Sequence, residues 1–302
     1  MNTNGSSPHD GDRSLGFTLP ARNVRGRAVR LDASVDTILA AHAYPEPVAK
    51  LLAEALVLTA MLGSLLRGEG GQLTLQARGE GGPCSLLVAD YREGELRGYA
   101  ALDPDRRLNA ADSETLAGFF GKGYLAITLD QTASAERYQG IVELGDTTLE
   151  AAAGNYFAQS EQLPTIIRLA AARNADGRWS AGGLLTQQLS RQEEGGARLH
   201  VEATEQRAAD HQHVAALVGT LSDAELTDVD LSLETLLWRL FHEEEVHIFP
   251  PELLSRGCRC SVEHITRVVK QFSGEELEEM RNADGRLAVD CEFCARQFLV
   301  DV

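Results

Sequence analysis

At 302 residues, 43% hydrophobic and 24% charged, the chain has room for two or three soluble domains and ample apolar material for a core. A net charge of −17 argues against nucleic acid or an anionic membrane as the main partner, because both reward a basic surface. The polar start, MNTNGSSPHDGDRS, has no apolar signal core and reads as part of a disordered tail over residues 1–20. The longest apolar stretch, VAKLLAEALVLTAMLGSLL (48–66), contains Lys50 and Glu54 and suits a buried helix better than a membrane span, so a cytoplasmic location is expected.

In chain order, GRAVRLDA reads as a strand and SVDTILAAHA as a helix. A second helix, PEPVAKLLAEALVLTAMLGSLL, opens with proline in its first turn. GQLTLQARG alternates strictly, with Leu73, Leu75 and Ala77 on one face and Thr74 and Gln76 on the other. PCSLLVADYREGELRGYAALD reads as a hairpin turning at Glu93-Gly94. A short helix near DSETLAGFF precedes the strands GYLAITLD and RYQGIVEL. A helix over TTLEAAAGNYFAQS then leads to the strands LPTIIRLAAA and RWSAGGLLTQQL. The hexapeptide RNADGR occurs at 173–178 and again at 281–286; without wider similarity, both copies read as Asp-Gly turns. Neighbouring strands with interspersed helices predict an α+β core domain over residues 21–201 with mostly antiparallel sheet.

Composition then changes. Glu202 to Pro250 holds eleven acidic residues against Arg207 and Arg239, net −9, about half the charge of the chain. Leu233, Leu236, Leu237, Leu240 and Phe241 nevertheless recur at helical spacing, so 202–250 reads as a helical linker docked by its apolar faces. Residues 251–302 form the last unit. Val262, Ile265, Val269 and Phe272 mark one helix, and Ser273 with Glu276 a capping box for a second. The turn at Asp284-Gly285 leads through RLAVD to a cysteine knuckle beside strands.

Of five cysteines, Cys84 sits in a strand-like run as a small hydrophobe, and the others form two close pairs, Cys258/Cys260 and Cys291/Cys294, with thirty residues between the pairs. A disulfide scaffold does not suit a reducing compartment. Two pairs across a foldable spacer supply a Cys₄ tetrahedral site for one zinc ion, with no open coordination position for hydrolysis. The 52-residue unit holds few large apolar side chains, so it depends on the metal, which contributes roughly 10–16 kcal/mol in small zinc peptides. The spacing within each pair also permits oxidation to a disulfide, which would turn ligands into non-ligands. Arg256, Arg259 and Arg296 flank the pairs and either offset thiolate charge or are ordinary surface residues.

Other motifs fail. HEEEVHIF places its histidines, His242 and His247, at i and i+5, which rules out a zincin helix. GKGY (121–124) has neither the upstream glycine nor the Ser/Thr of a phosphate loop, and no nucleophile–base pair stands out, so no enzymatic activity is expected.

At the segments GYLAITL, RYQG, SEQLPT, AGG and LLWRLFHEEEV, together with the C-x-C and C-x-x-C pairs and their long spacer, the chain resembles the heat shock protein 33 family of redox-regulated chaperones. The resemblance runs over nearly everything after the polar tail. It implies an ATP-independent holdase, inactive when reduced and zinc-bound. It also implies that oxidation forms the disulfides Cys258–Cys260 and Cys291–Cys294, expels zinc and destabilises the linker. The exposed surface then takes unfolding client proteins, often as a homodimer. Some members carry further cysteines, but TTLEAAAGNYF and SVEHITRV have none, so no role for extra thiols carries over.

Two other readings compete. One is a zinc-ribbon adaptor for a protein or nucleic acid, for which nucleic acid is disfavoured by a net charge of −3 over 251–302. The other is a dithiol oxidoreductase, whose active pair would sit at a helix start and not inside a four-thiolate site.

Overall fold

The computed structural model describes residues 11–66, 70–108, 114–131, 136–161, 163–189, 197–282 and 285–300. Two six-stranded sheets carry the core. The first runs β10-β1-β2-β9-β8, with β11 also pairing β1; its strands are β1 (Arg13–Leu19), β2 (Val24–Leu31), β8 (Thr165–Arg173), β9 (Trp179–Gln188), β10 (His247–Ile248) and β11 (Glu252–Leu253). The second runs β12-β5-β4-β3-β6-β7, built from β3 (Gln72–Gly81), β4 (Cys84–Arg92), β5 (Glu95–Leu102), β6 (Gly121–Gln131), β7 (Glu136–Glu143) and β12 (Ser255–Arg256). All pairings are antiparallel except β12 with β5. This is the α+β architecture expected from the run of neighbouring strands.

Helix α2 (Glu46–Gly63) fills the space between the sheets. It is apolar nearly all round and buries Leu52, Leu56, Leu58 and Met61, which is how a helix behaves when packed on both sides. Past Glu46 in its first turn, its two remaining charges meet each other, Lys50 Nζ lying 3.8 Å from Glu54 Oε1. No helix among the described residues is long and apolar enough to cross a membrane. The main cluster joins α2 to α1 (Ala33–Leu39), α3 (Leu116–Phe120), α4 (Leu149–Tyr156) and the inward residues of both sheets, including Leu73, Leu75 and Ala77. The β4–β5 hairpin turns at Glu93 and Gly94, both with positive φ (50° and 82°), as its sequence requires.

Ala283 and Asp284 of the second RNADGR copy lie outside the described residues, but the flanking hydrogen bonds of the two copies match. Asn174 N–H donates to the Arg178 carbonyl (2.8 Å) and Asn282 N–H to the Arg286 carbonyl (2.9 Å), and each asparagine Oδ1 accepts from the later arginine N–H at 3.0 Å. Among the described residues, the same sequence thus gives the same asparagine-to-arginine hydrogen bonds in two unrelated settings.

Of the tail expected over residues 1–20, residues 1–10 lie outside the described residues, and the rest is not a tail. Residues 13–19, assigned to the tail by composition, form β1 and bury Leu15, Phe17 and Leu19 completely. Charged and small residues between them disguise an alternating strand.

The acidic segment contains α5 (Ala197–Gly219), α6 (Asp223–Thr227) and α7 (Leu233–Leu240). Ser222 with Glu225 forms a capping box on α6, and the Ser232 hydroxyl caps α7. Val214, Val218, Leu226, Leu233, Leu236, Leu237 and Phe241 pack on Leu15, Phe17, Leu19, Val24 and Leu184, the face of the first sheet turned away from α2. Core arginines hold the other side of this lid. Arg30, 1% exposed, donates to the carbonyls of Glu225 (3.1 Å), Asp228 and Leu231 (3.2 Å). Arg22 reaches Asp210 (3.1 Å) and Glu244 (2.9 Å), and His213 donates to the same Glu244 oxygen at 2.8 Å. Its hydrogen bonds to Glu244 and Asp210 raise the Arg22 pKa, and those from Arg22 lower that of Glu244. Arg13 meets Glu234 and Arg168 meets Asp223.

Candidate metal centre and its contacts with the core

The first cysteine pair emerges from the edge of the second sheet. β12 runs parallel to β5, and Gly257 N–H donates to the Leu96 carbonyl at 2.8 Å, which fixes the chain one residue before Cys258. A side chain at position 257 would collide with Glu95, its Cβ falling 2.5 Å from the Glu95 Cβ, so glycine is required for this approach. After Cys260, the Ser261 hydroxyl accepts from His264 N–H and opens α8 (Val262–Val269); Ser273 and Glu276 then form the capping box of α9 (Gly274–Glu279). The second pair sits at the tip of the hairpin β13 (Leu287–Asp290) and β14 (Gln297–Val300). There Cys291 N–H donates to the Arg296 carbonyl, the N–H groups of Cys294 and Ala295 turn back to the Cys291 carbonyl, and Ala295 takes φ 52°.

These two turns bring four free thiols together, all Sγ atoms lying within 4.8 Å of one another. The Sγ separations are 3.1 Å for Cys258–Cys260, 3.6 Å for Cys258–Cys291 and 3.5 Å for Cys260–Cys294. Tetrahedral Zn–S bonds of about 2.3 Å place sulfurs about 3.8 Å apart, so the donor set fits a metal in both chemistry and spacing. As free thiols they differ: burial raises the pKa of Cys260 and of Cys291. Burial also pushes Cys294 up, but the Arg296 N–H and the neighbouring sulfurs outweigh it and bring Cys294 down to about 7. Among the described residues no other cluster of three or more His, Cys, Asp or Glu ligand atoms comes together this closely. His242 bonds the Arg239 carbonyl and His247 bonds Glu245, both at the surface. Cys84 is wholly buried in β4, its thiol pushed up to about 12 by burial.

Beneath the sulfurs the module has little else. Among the described residues, its own apolar cluster is Ile265, Val269, Leu287, Phe298 and Val300, too small to hold a fold alone. Of the three flanking arginines, Arg259 points away from the thiols into the core. Its Nη1 donates to Gln72 Oε1 at 2.9 Å, and Nη2 lies 3.8 Å from Asp90 Oδ2. The residues between Cys291 and Cys294 also reach the core. The Glu292 carbonyl accepts from His42 Nε2 at 2.7 Å, and the Phe293 ring meets Tyr99 edge-on at 4.9 Å with the Arg97 guanidinium 4.0 Å above it. Sequence reasoning passed over Glu292 and Phe293, because nothing in C-E-F-C says that the intervening residues face a distant strand.

Comparison with known proteins gives one result throughout. The family model described as Hsp33 protein matches residues 12–301. The 33 kDa chaperonin of Caulobacter vibrioides is 42% identical over 296 residues, covering 94% of this chain and 93% of that one. The 33 kDa chaperonin of Pseudomonas fluorescens is 38% identical over 293 residues, covering 97% and 91%. Among solved structures, the 33 kDa chaperonin (heat shock protein 33 homolog) of Thermotoga maritima matches with a TM-score of 0.78 at 23% identity, covering 95% of this chain and 94% of that chain, a likeness of fold.

Proposed function

The chain belongs to the Hsp33 family of chaperones, and on that premise we propose that it is an ATP-independent holdase whose client-binding surface is covered or uncovered by the redox state of its four clustered cysteines. The observation that carries this reading is the lid: α5 to α7 cover one apolar face of the first sheet and run directly, through β10 to β12, into the four-thiol module. We divide the chain accordingly into a core, a regulated linker up to residue 250 and a redox module (251–302); the core expected over 21–201 gains β1 at its start, and the linker expected from 202 begins with α5 at Ala197.

In the reduced chain Cys258, Cys260, Cys291 and Cys294 are the ligands of one zinc ion, which would hold the sulfurs as thiolates and cross-link the two turns. Oxidation pairs Cys258 with Cys260 and Cys291 with Cys294. One peroxide per pair accepts two electrons and, with two protons, leaves as two waters. The sulfurs then no longer serve as ligands, and five buried side chains do not keep the module folded. The linker loses the anchor at its C-terminal end, and Leu15, Phe17, Leu19 and Leu184 become available to the apolar segments of unfolding clients. The activity is binding, not catalysis. A cytoplasmic location and homodimerisation of the oxidised chain belong to the same reading.

The test is one oxidant titration with three readouts: zinc release, far-UV circular dichroism and light scattering from an aggregating client. All three are expected to change together, with one zinc leaving per chain, and dithiothreitol is expected to restore the metal site. Zinc release without suppression of aggregation would overturn the chaperone switch.

A further inference from the structure

The second sheet has one face on α2 and one face outward. Its outward residues form rows across the strands, read from the register: Tyr99 beside Val88, then Gln76, Ala126 and Ile141. Leu86 and Tyr124 lie in the next row on either side of Arg78. Ile141 is 62% exposed and Tyr124 37%, while the small Ala126 beside Ile141 is 3% exposed and forms the floor of the row. With strands about 4.8 Å apart, the Tyr99–Ile141 row spans about 19 Å. The row on its other side is polar: Arg97, Asp90, Thr74, Thr128 and Gln139.

The Tyr99 end of this stripe is an organised aromatic clamp. Arg97 forms one wall, held by Asp90 through Nε (2.9 Å) and Nη2 (2.6 Å). Asp90 is itself 3% exposed and accepts from the Thr74 hydroxyl at 2.5 Å. The cation is therefore fixed before anything enters, and the Tyr99 ring supplies the second wall. Phe293 occupies the clamp, edge-on to Tyr99 and under Arg97. Phe293 stands between two of the clustered cysteines, and Arg259, between the other two, docks beside it on Gln72 and Asp90. Whatever rearranges the four sulfurs moves both.

We propose that the Tyr99–Arg97 clamp and the stripe from it to Ile141 bind extended, aromatic-bearing segments of unfolding polypeptides, with Phe293 as the occupant that blocks the clamp in the reduced chain. This rests on the client-holding function proposed above and adds a second binding surface, on the opposite sheet from the linker lid. An extended polypeptide suits the shape. The stripe is one to two side chains wide and bounded by polar groups, too narrow for the broad apolar contact that stacking a second copy would require. The clamp supplies the selectivity, because a ring between a fixed guanidinium and an aromatic edge gains from both contacts.

The probe is a fluorescein-labelled twelve-residue peptide of Thr and Lys with Phe at alternate positions, compared by anisotropy with its Phe→Ala counterpart on the full-length chain. The oxidised chain is expected to prefer the Phe peptide by about tenfold, and the reduced, zinc-loaded chain to show no preference. Reduced, zinc-loaded Phe293→Ala opens the clamp without oxidant and is expected to gain the preference. Phe293 lies outside the module's buried cluster, so this arm does not depend on the redox switch. Ile141→Ser, at the exposed far end, is expected to weaken Phe-peptide binding about threefold to tenfold while zinc release and the far-UV change stay as in the unmodified chain. No gain in Phe293→Ala, or undiminished binding in Ile141→Ser, overturns the proposal. Loss of a dimer in Ile141→Ser with unchanged peptide binding would likewise overturn it, by assigning the stripe to a second copy. Failure of zinc release to activate the unmodified chain, with Phe293→Ala still gaining the preference, would strike the redox reading and leave the clamp standing.

Discussion

The linker and the C-terminal module both depend on something outside their own sequence, but on different things. The linker lays Val214, Val218, Leu226, Leu233, Leu236, Leu237 and Phe241 on a sheet that has its own large core behind it. The module buries five side chains against one another and has four sulfurs above them. Fully burying an aliphatic or aromatic side chain is worth about 1.5–3 kcal/mol, so the linker's contact with the sheet is strong only while its ends are held. The module's small cluster falls below the entropy of ordering its backbone. On the proposed reading, a chain arranged this way has a stable core, a lid whose stability comes from the core, and a latch whose stability would come from a metal.

The largest expected effect breaks the latch. Chelating the metal under reducing conditions removes roughly 10–16 kcal/mol of apparent stabilisation from the module. Residues 258–300 are then expected to lose dispersed amide signals while the thermal midpoint of the core does not move.

Next comes the lid. Phe241 and Leu237 are fully buried against the first sheet, and Phe241 stacks on Phe17 at 5.6 Å. Phe241→Ala is expected to cost about 3–5 kcal/mol of lid docking, since burial and the ring contact are both lost. The reduced variant should suppress client aggregation without oxidant while still holding one zinc. Suppression that still requires oxidant would mean the lid does not depend on its packing.

Glu54 tests whether the core is separate from both. Burial raises its pKa from 4.5 to about 7. Between these values the folded chain binds the proton more tightly than the unfolded chain, so this carboxyl lowers stability as pH rises from about 4.5 to about 7, and the deficit persists above. Glu54→Gln removes the deficit and is expected to raise core stability at pH 8 by up to about 3 kcal/mol, flattening its pH profile. Zinc content and oxidant threshold should stay unchanged in the same samples.

The smallest effect is at the arginine contacts. Arg22→Gln is expected to loosen the linker by about 1–2 kcal/mol, read as faster amide exchange in α5 and at Glu244, because Glu244 is nearly buried and among the described residues keeps only His213 as a side-chain partner. Arg13→Gln, whose partner Glu234 is 42% exposed, is expected to change exchange by less than about 1 kcal/mol, and less again at high salt.

The clustering of the four cysteines was the most legible part of the sequence, because their spacing is local: two pairs at short range fix two turns, and the turns bring the sulfurs together. The apolar face of α7 was legible for the same reason, with Leu233, Leu236, Leu237 and Leu240 recurring at helical period. What that face covers was not, since β1 and β9 lie far away in sequence and no period points to them. β1 itself was hidden by its surroundings: Arg13, Ser14 and Thr18 interrupt the apolar residues, and the polar tail before them set the tone. Arg259 shows how local reading misleads. Beside two cysteines it read either as a counter-charge to thiolates or as an ordinary surface residue, yet its guanidinium bonds Gln72 on β3. Side-chain direction across a tertiary contact is set by the partner, and a single sequence does not display the partner.

The most direct test of the account is amide hydrogen exchange over α5 to α7 (residues 197–240), followed with zinc release across an oxidant titration. The account predicts that protection of α7 and of the second half of α5 falls in proportion to the zinc released and returns on reduction with zinc present. Full protection of these helices after all the zinc has left, in a sample that nonetheless suppresses client aggregation, would contradict it.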